Sequence, residues 1–233
     1  MKKLTILLAI LLLAGNSVFS QKKNTKTKPS TKPAPVMQMD FQNKFYGSIG
    51  ISQIGDEMLG NAMNFLAGLE TQVSQYISIG GGFNYSSYPG LTDKMSAKVL
   101  EILQSQGIGP YKLQIVINDF DVSCFELEGQ MRIKFSKSRD GFYSRLGFAI
   151  MFLTRSKYNV EVKPWIGEES VLIMNEKNDK VMCGSIALGY ELDISRNVGL
   201  WSEFKMTPSL RKSSITDENL FQTNFAFGFY YRY

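Results

Sequence analysis

The side chains with the most chemical capacity in this chain are charges set at alternate positions of segments that are otherwise apolar. Glu70, Glu126, Glu128, Arg132, Lys134, Arg145, Glu191, Glu203, Lys205 and Arg232 fall on the side opposite large apolar residues, and acids and bases are nearly balanced among them. The chemistry this offers is ion pairing. In a confined, dry space the groups form a salt-bridged network; in a hydrated one they line a gated ion path. An unpaired charge in a narrow interior costs several kcal/mol, so the paired, structural network is the expected state.

Proton-transfer chemistry has little to work with. The chain has no histidine, and without imidazole no side chain has an unperturbed pKa near neutrality, so a hydrolase would need an unusual Lys or carboxylate base. Cys124 and Cys183 are its only cysteines; they are widely spaced and have no histidine to join them, which argues against zinc. No catalytic residue, metal ligand or cofactor site is expected, and the chain reads as non-enzymatic.

The elements that must position these charges follow from periodicity. Residues 1–20 open with Lys2 and Lys3, continue through an apolar run from Leu4 to Ala14 and reach Val18 and Ser20 before Gln21, the pattern of a signal peptide cut after Ser20. That run is too short to span a bilayer as a helix. Residues 21–40, beginning QKKNTKTKPSTKPAPV, read as a solvated Lys/Pro-rich periplasmic tether. The net charge of +5 has its source here: Lys2, Lys3, Lys22, Lys23, Lys26, Lys28 and Lys32 all precede the folded part, which is left near neutral. A nucleic-acid partner is therefore not expected.

Residues 41–233 break into eight segments of membrane-strand length: 43–53, 62–73, 75–86, 121–135, 141–155, 181–193, 197–207 and 223–233. Phe142, Leu146, Phe148, Ile150 and Phe152 share one face of the fifth, against Tyr143, Arg145, Gly147 and Ala149. The fourth sets Phe125, Leu127, Met131, Ile133 and Phe135 against Glu126, Glu128, Gln130, Arg132 and Lys134. In the last, Phe225, Phe227, Phe229, Tyr231 and Tyr233 make one unbroken aromatic face. Short links (Ser74–Gln75, Ser136–Asp140, Ile194–Asn197) alternate with links through 55–61, 87–120, 156–180 and 208–222, the rhythm of periplasmic turns and extracellular loops. The expected fold is all-β: an antiparallel up-and-down transmembrane β-barrel of eight strands in a bacterial outer membrane. A secreted lipocalin-like binder would invert the faces, with apolar side chains inside, and parity alone does not separate the two.

Three local features bear on function. In the long second loop, Thr92 as cap, Met95, Val99, Ile102 and Leu103 at helical spacing and Gly107 as stop predict a short amphipathic helix, its apolar face packed over the barrel mouth or against Tyr111–Ile117, or else a docking surface for another protein. Tyr111–Ile117 reads as a loop strand, unless residues 111–118 enter the membrane and change the strand count. Gly80, Gly81 and Gly82 mark a bulge, a kink or a close approach, and are the best motive for a lateral opening. Cys124 and Cys183 both face inward on strands two places apart, a separation that favours reduced thiols over a disulfide.

The leader with its Ser20/Gln21 junction, the Lys/Pro tether, the eight strands and the terminal Phe229, Tyr231 and Tyr233 together resemble the small OmpA-like and PorT-like outer-membrane barrels of Bacteroidetes. No peptidoglycan-binding domain follows the barrel, so the resemblance is expected to reach the barrel architecture only. It implies that Phe225, Phe227, Phe229, Tyr231 and Tyr233 resemble the assembly signal read by the barrel-insertion machinery. It also implies outer-membrane lipid and other envelope proteins as partners, in a structural or accessory role within an envelope, secretion or assembly complex. The alternative is a small channel or uptake barrel for ions or apolar solutes.

Overall fold

The computed structural model describes residues 42–55, 59–105, 113–136, 140–164, 170–215 and 219–233. The expected signal peptide and tether lie outside the described residues. Among the described residues eleven strands and one helix follow in order: β1 (Asn43–Ile54), β2 (Ala62–Gln72), β3 (Ile77–Pro89), α1 (Thr92–Ser105), β4 (Leu113–Asn118), β5 (Asp121–Lys134), β6 (Gly141–Arg155), β7 (Tyr158–Pro164), β8 (Ser170–Met174), β9 (Lys177–Asp193), β10 (Val198–Lys212) and β11 (Asn219–Arg232). Eight of the strands close a barrel in the order β1-β11-β10-β9-β6-β5-β3-β2, every pair antiparallel. The remaining three, β4, β7 and β8, form a separate small sheet with β7 in the middle.

The register fixes the barrel's shape. Starting at Phe142 on β6 and stepping across each ladder gives Tyr190, Ser202, Phe227, Ile49, Phe65, Tyr85 and Phe125, and returns to β6 at Phe152. One circuit therefore staggers the chain by ten residues. With a rise of about 3.3 Å per residue and about 4.8 Å between strands, a stagger of ten over eight strands tilts them by about 41° and sets a backbone radius of about 8 Å. A lumen that narrow is filled by its own side chains.

Alternation decides what fills it. Phe45, Ile49, Phe65, Phe83, Leu127, Phe148, Phe204 and Phe229 point outward and are exposed, while the inward set through the middle of the barrel is mostly charged, amidic or hydroxylic, with Leu66, Trp201 and Ala226 buried among it. An apolar exterior around a polar interior is stable only when hydrocarbon surrounds it, so the chain is a transmembrane barrel of the outer-membrane type. The lipocalin alternative requires the reverse and is overturned. No helix among the described residues is long and apolar enough to cross a membrane; the strands do the crossing.

Two of the short connections share one construction. In Val73–Ile77 and in Ile194–Val198, the first two N–H groups donate to the last residue's carbonyl, and the hydroxyl of Ser74 or Ser195 accepts that last residue's own N–H at 3.0 or 3.1 Å. The loop side departs more from expectation. β9 begins at Lys177 rather than 181, β10 runs on to Lys212 and β11 begins at Asn219, so the last link is much shorter than 208–222. These extensions have polar outward residues such as Lys180, because they have left the apolar band and need no lipid-facing parity. Likewise the link through 156–180 contains two strands, β7 and β8, where periodicity predicts only loop.

The expected loop strand is present from Leu113 as β4, pairing with β7 from Leu113 to Asn118 and staying out of the barrel, so the membrane count remains eight. The helix is present as α1, with Met95 buried against Ile115, Ile117 and Tyr158 and with Val99 and Leu100 packed on that cluster. Met95, Val99 and Leu100 are thus spent on the loop sheet. The side chains of Thr92, Ile102 and Leu103, together with Gly107, Tyr111 and Lys112, lie outside the described residues. Gly80–Gly82 carry no bulge: β3 pairs with β2 and β5 without a register shift. A Cβ at Gly80 would press on the Glu70 backbone and side chain, both at 2.9 Å, and one at Gly82 on the Tyr46 hydroxyl at 2.8 Å, so close approach is the reason for both glycines.

Candidate functional site

The lumen is a stack of layers. At the short-turn end Glu191 of β9 is the hub: its carboxylate accepts from Lys44 of β1 and Arg132 of β5, lies 2.9 Å from Lys134 and 3.9 Å from Arg232. Glu70 of β2 shares two of these cations, at 3.2 Å from Lys44 and 2.8 Å from Arg132. Asp193 holds Arg232 at 2.5 Å on the rim. Aromatic faces supplement the carboxylates. The Arg132 guanidinium stacks over Tyr143 at 4.1 Å, and Arg232 and Lys44 lie over Tyr230 at 4.7 and 5.0 Å.

One level up, Arg145 of β6 meets Glu203 of β10 at 2.5 Å and Glu128 at 3.7 Å, while Lys205 meets Glu126 at 2.7 Å and Glu128 at 3.2 Å. Arg132 and Arg145 are direct cross-strand neighbours, a repulsive pairing made tolerable by the carboxylates of Glu70 on β2, Glu191 on β9 and Glu203 on β10. Gln130 lies between the two layers, donating to Glu70 at 2.9 Å and to the Tyr46 hydroxyl at 2.7 Å, and accepting from Arg145. Tyr143 donates to Glu203 at 3.1 Å and Asn84 to Glu126 at 3.2 Å. A charged wall in so small a radius needs space opposite each long side chain. Gly147 supplies it beside Glu128 and Ser185, and Gly189 beside the Tyr143 ring.

Toward the loop end the polarity falls away. Asn64 donates to Asn84 at 3.3 Å and to Asn224 at 3.5 Å; above them Gln222 donates to Ser52 at 3.1 Å and to Tyr88 at 2.5 Å. The mouth itself is packed with Ile54, Leu59, Val122, Met151, Leu153, Val181 and Leu220, all buried, with Phe120 and Ile215 against them. An aliphatic plug thus lies over a salt-bridged stack. At the opposite end the cavity between Lys44, Glu70, Lys134 and Arg232 measures about 20 Å³, room for about one water.

All ten charges singled out from the sequence lie on the inward face, and each has an opposite charge within 4 Å. Lys44 and Asp193 belong to the same network. Sequence reasoning misses Lys44, although it has the parity opposite to Phe45, Ile49 and Ile51 and that signal is available. Gln130, Tyr46 and Tyr143 carry no charge and give no sign of their bridging position. Cys124 and Cys183 are free thiols buried in the aliphatic plug, paired across their ladders with Leu153 and Ala149 of the intervening β6. The aromatic face of β11 looks outward, with Phe227 opposite Ile49 and Phe225 opposite Ile51 of β1, and Tyr233 exchanges backbone hydrogen bonds with Asn43 at 3.0 and 3.3 Å to complete the seam.

No protein-family model matches the chain, and no curated protein does. Among solved structures, a major outer membrane protein from Thermus thermophilus is 10% identical, with 82% of this chain and 99% of that one covered at a TM-score of 0.49. Ail, the attachment invasion locus protein of Yersinia pestis, is 10% identical, with 84% and 100% covered at 0.48. The outer membrane protease OmpT from Escherichia coli is 11% identical, with 90% and 100% covered at 0.43. At such scores the likeness carries no argument of its own, and the eight-strand closure rests on the register given above.

Proposed function

We propose that this chain is a non-enzymatic outer-membrane barrel that anchors a docking platform, a structural or accessory subunit of an envelope, secretion or assembly complex. The observation that carries this reading is β8. Among the described residues it pairs on one side only, at the edge of the loop sheet, and Val171, Leu172 and Ile173 are 58, 56 and 57% exposed, so apolar groups stand on both faces of an edge strand. Proteins normally blunt such an edge with charge, proline or a covering element. Left open, it is suited to receive an added strand from a partner, which takes its affinity from main-chain hydrogen bonds and its specificity from the side-chain faces.

The lumen supports an anchor rather than a conduit. Salt-bridged layers under an aliphatic plug favour a filled lumen over a hydrated path. The absence of histidine from the sequence supports a non-enzymatic role. Delivery follows from the same reading: a leader over residues 1–20, a tether over 21–40, and the row Phe225, Phe227, Phe229, Tyr231 and Tyr233 as the signal for the insertion machinery.

A photo-crosslinking amino acid at Leu172, activated in intact cells, tests the platform. A discrete adduct is expected, and it should vanish when Val171→Lys and Ile173→Lys are added while the barrel still shows heat-modifiable migration. A crosslinked band that survives those two substitutions, or a clean monomer with no adduct, would overturn it.

A further inference from the structure

The loop-side rim of the barrel is basic over one sector only. Lys177 and Lys180 at the start of β9 and Arg211 and Lys212 at the end of β10 are exposed, and Arg155 at the end of β6 stands directly opposite Lys177. The loop-side ends of β1, β2, β3, β5 and β11 carry no lysine or arginine. Cations that merely snorkel from an apolar wall to water have no reason to gather on three adjacent strands. Their gathering also has a cost, because like charges opposed across a ladder are destabilising. Arg155 donates to the Asn175 carbonyl at 3.0 Å and Lys177 to that of Ser214, so neither charge is neutralised. The nearby acids are Asp179 and Glu176, and of the five cations only Arg211 has a carboxylate partner among the described residues, Asp179 at 2.9 Å.

The sector suits an anion that carries an apolar tail. Asp179 and the Lys180 carbonyl hold the Arg211 guanidinium, yet its side chain stays 54% exposed. Lys180 and Lys212 share the outward parity of Met182 and Leu210, which lie two residues nearer the middle of the bilayer and are 57 and 64% exposed. Lys180 also lies over the Phe152 ring at 5.5 Å. Three cations thus stand one step above an exposed apolar floor, at the height where the hydrocarbon band gives way to headgroups. A phosphate there meets Lys180, Arg211 and Lys212 while its acyl chains descend over Met182, Leu210 and Phe152. A free anion would leave that floor unused. A phosphate monoester, with about −1.5 to −2 charge at pH 7, matches a sector of five cations and two acids better than a singly charged group does.

We propose that the β6–β9–β10 sector of the loop-side rim binds a membrane lipid bearing a phosphate monoester, with the phosphate among Lys180, Arg211 and Lys212 and an acyl chain along Met182 and Leu210. The site is independent of the platform at β8. Native mass spectrometry of the full chain tests it, with dioleoylphosphatidic acid as the probe and dioleoylglycerol, which lacks only the phosphate, as its control. The wild type should retain one phosphatidic acid saturably and dioleoylglycerol at least about tenfold more weakly. Lys180→Gln with Lys212→Gln, checked for heat-modifiable folding, should lower retention of phosphatidic acid by about tenfold or more, and Lys212→Gln alone by about threefold or more. Lys94→Gln with Lys163→Gln removes the same charge from α1 and β7 and should leave retention unchanged. Equal retention by the wild type and the Lys180/Lys212 variant, an equal loss in the Lys94/Lys163 variant, or equal retention of dioleoylglycerol would overturn the proposal. So would displacement of phosphatidic acid by an equal concentration of inorganic phosphate, since that would make phosphate alone the ligand.

Discussion

Replacing Glu191 with Gln tests the energetic logic of the lumen most directly. Glutamine keeps the size and one acceptor oxygen, so the variant removes charge and little else. In the wild type the rim layer sets Lys44, Arg132, Lys134 and Arg232 against Glu70, Glu191 and Asp193; in the variant four cations face two carboxylates. Removing one partner from a buried ion pair costs about 3–5 kcal/mol. Two features place this case at the lower end. The Lys134 side chain is 20% exposed and those of Lys44 and Arg232 9%, so water reaches three of the four cations. Arg132 also keeps Glu70 and the face of Tyr143. A loss of about 3 kcal/mol is expected, a large share of the roughly 5–15 kcal/mol that holds a domain folded. Urea unfolding in phospholipid vesicles, followed by tryptophan fluorescence, reads it out. Trp201 is buried edge-on to Tyr46 at 5.8 Å and reports lumen opening. With a slope of about 1–3 kcal/mol per molar urea, the midpoint should fall by about 1–3 M. Adding Lys44→Met should restore part of the loss, because it removes one of the cations left over. A Glu191→Gln midpoint indistinguishable from wild type would refute the reasoning, since it would mean that the hub is solvated and its pairs are worth no more than surface ones.

Three further expectations follow from local geometry. A methyl group at Gly147 would stand 2.6 Å from the Ser185 hydroxyl, 2.7 Å from a Glu128 oxygen and 2.8 Å from the Gly129 carbonyl; Gly147→Ala should cost about 1–3 kcal/mol by the same urea assay, and an unchanged midpoint would show that the wall yields freely. Planar bilayers containing the wild type should show no reproducible conductance at high salt, because the plug of Met151, Leu153 and Val181 seals the mouth; discrete channels would revive the uptake reading. Asp179, on β9 beyond the apolar band, feels burial that by itself would raise its pKa, but the N–H groups of Ser214 and Lys180, the Ser213 hydroxyl and Arg211 hold it below the usual carboxylate range. A depressed folded pKa means that its stabilisation is present above the unfolded value, about 3.9, and is lost as pH falls through the depressed one. Exchange protection of the Ser214 amide, corrected for intrinsic rates, should therefore hold from about pH 7 to 5 and drop only in strong acid, and Asp179→Asn should remove that acid step; an identical acid profile in the variant would refute the assignment.

What the amino-acid order determines by itself is which way each side chain faces. Period-two alternation is a local property of an extended chain, so the barrel class, eight membrane strands, the inward set of charges and the outward row from Phe225 to Tyr233 are all legible from residue types and spacing. The signal fails where that local rule relaxes. Strand ends such as Lys177–Lys180 and Leu210–Lys212 leave the bilayer and lose their lipid-facing parity, and β7 and β8 pair only with the loop sheet. Tertiary structure alone decided who meets whom. Glu191 finds Lys44, Arg132 and Lys134, and Lys205 finds Glu126 and Glu128, because a stagger of ten residues brings particular heights of separate strands together inside a barrel of about 8 Å backbone radius. Facing is written residue by residue, whereas register is a closure condition on the whole sheet, and no single segment contains it.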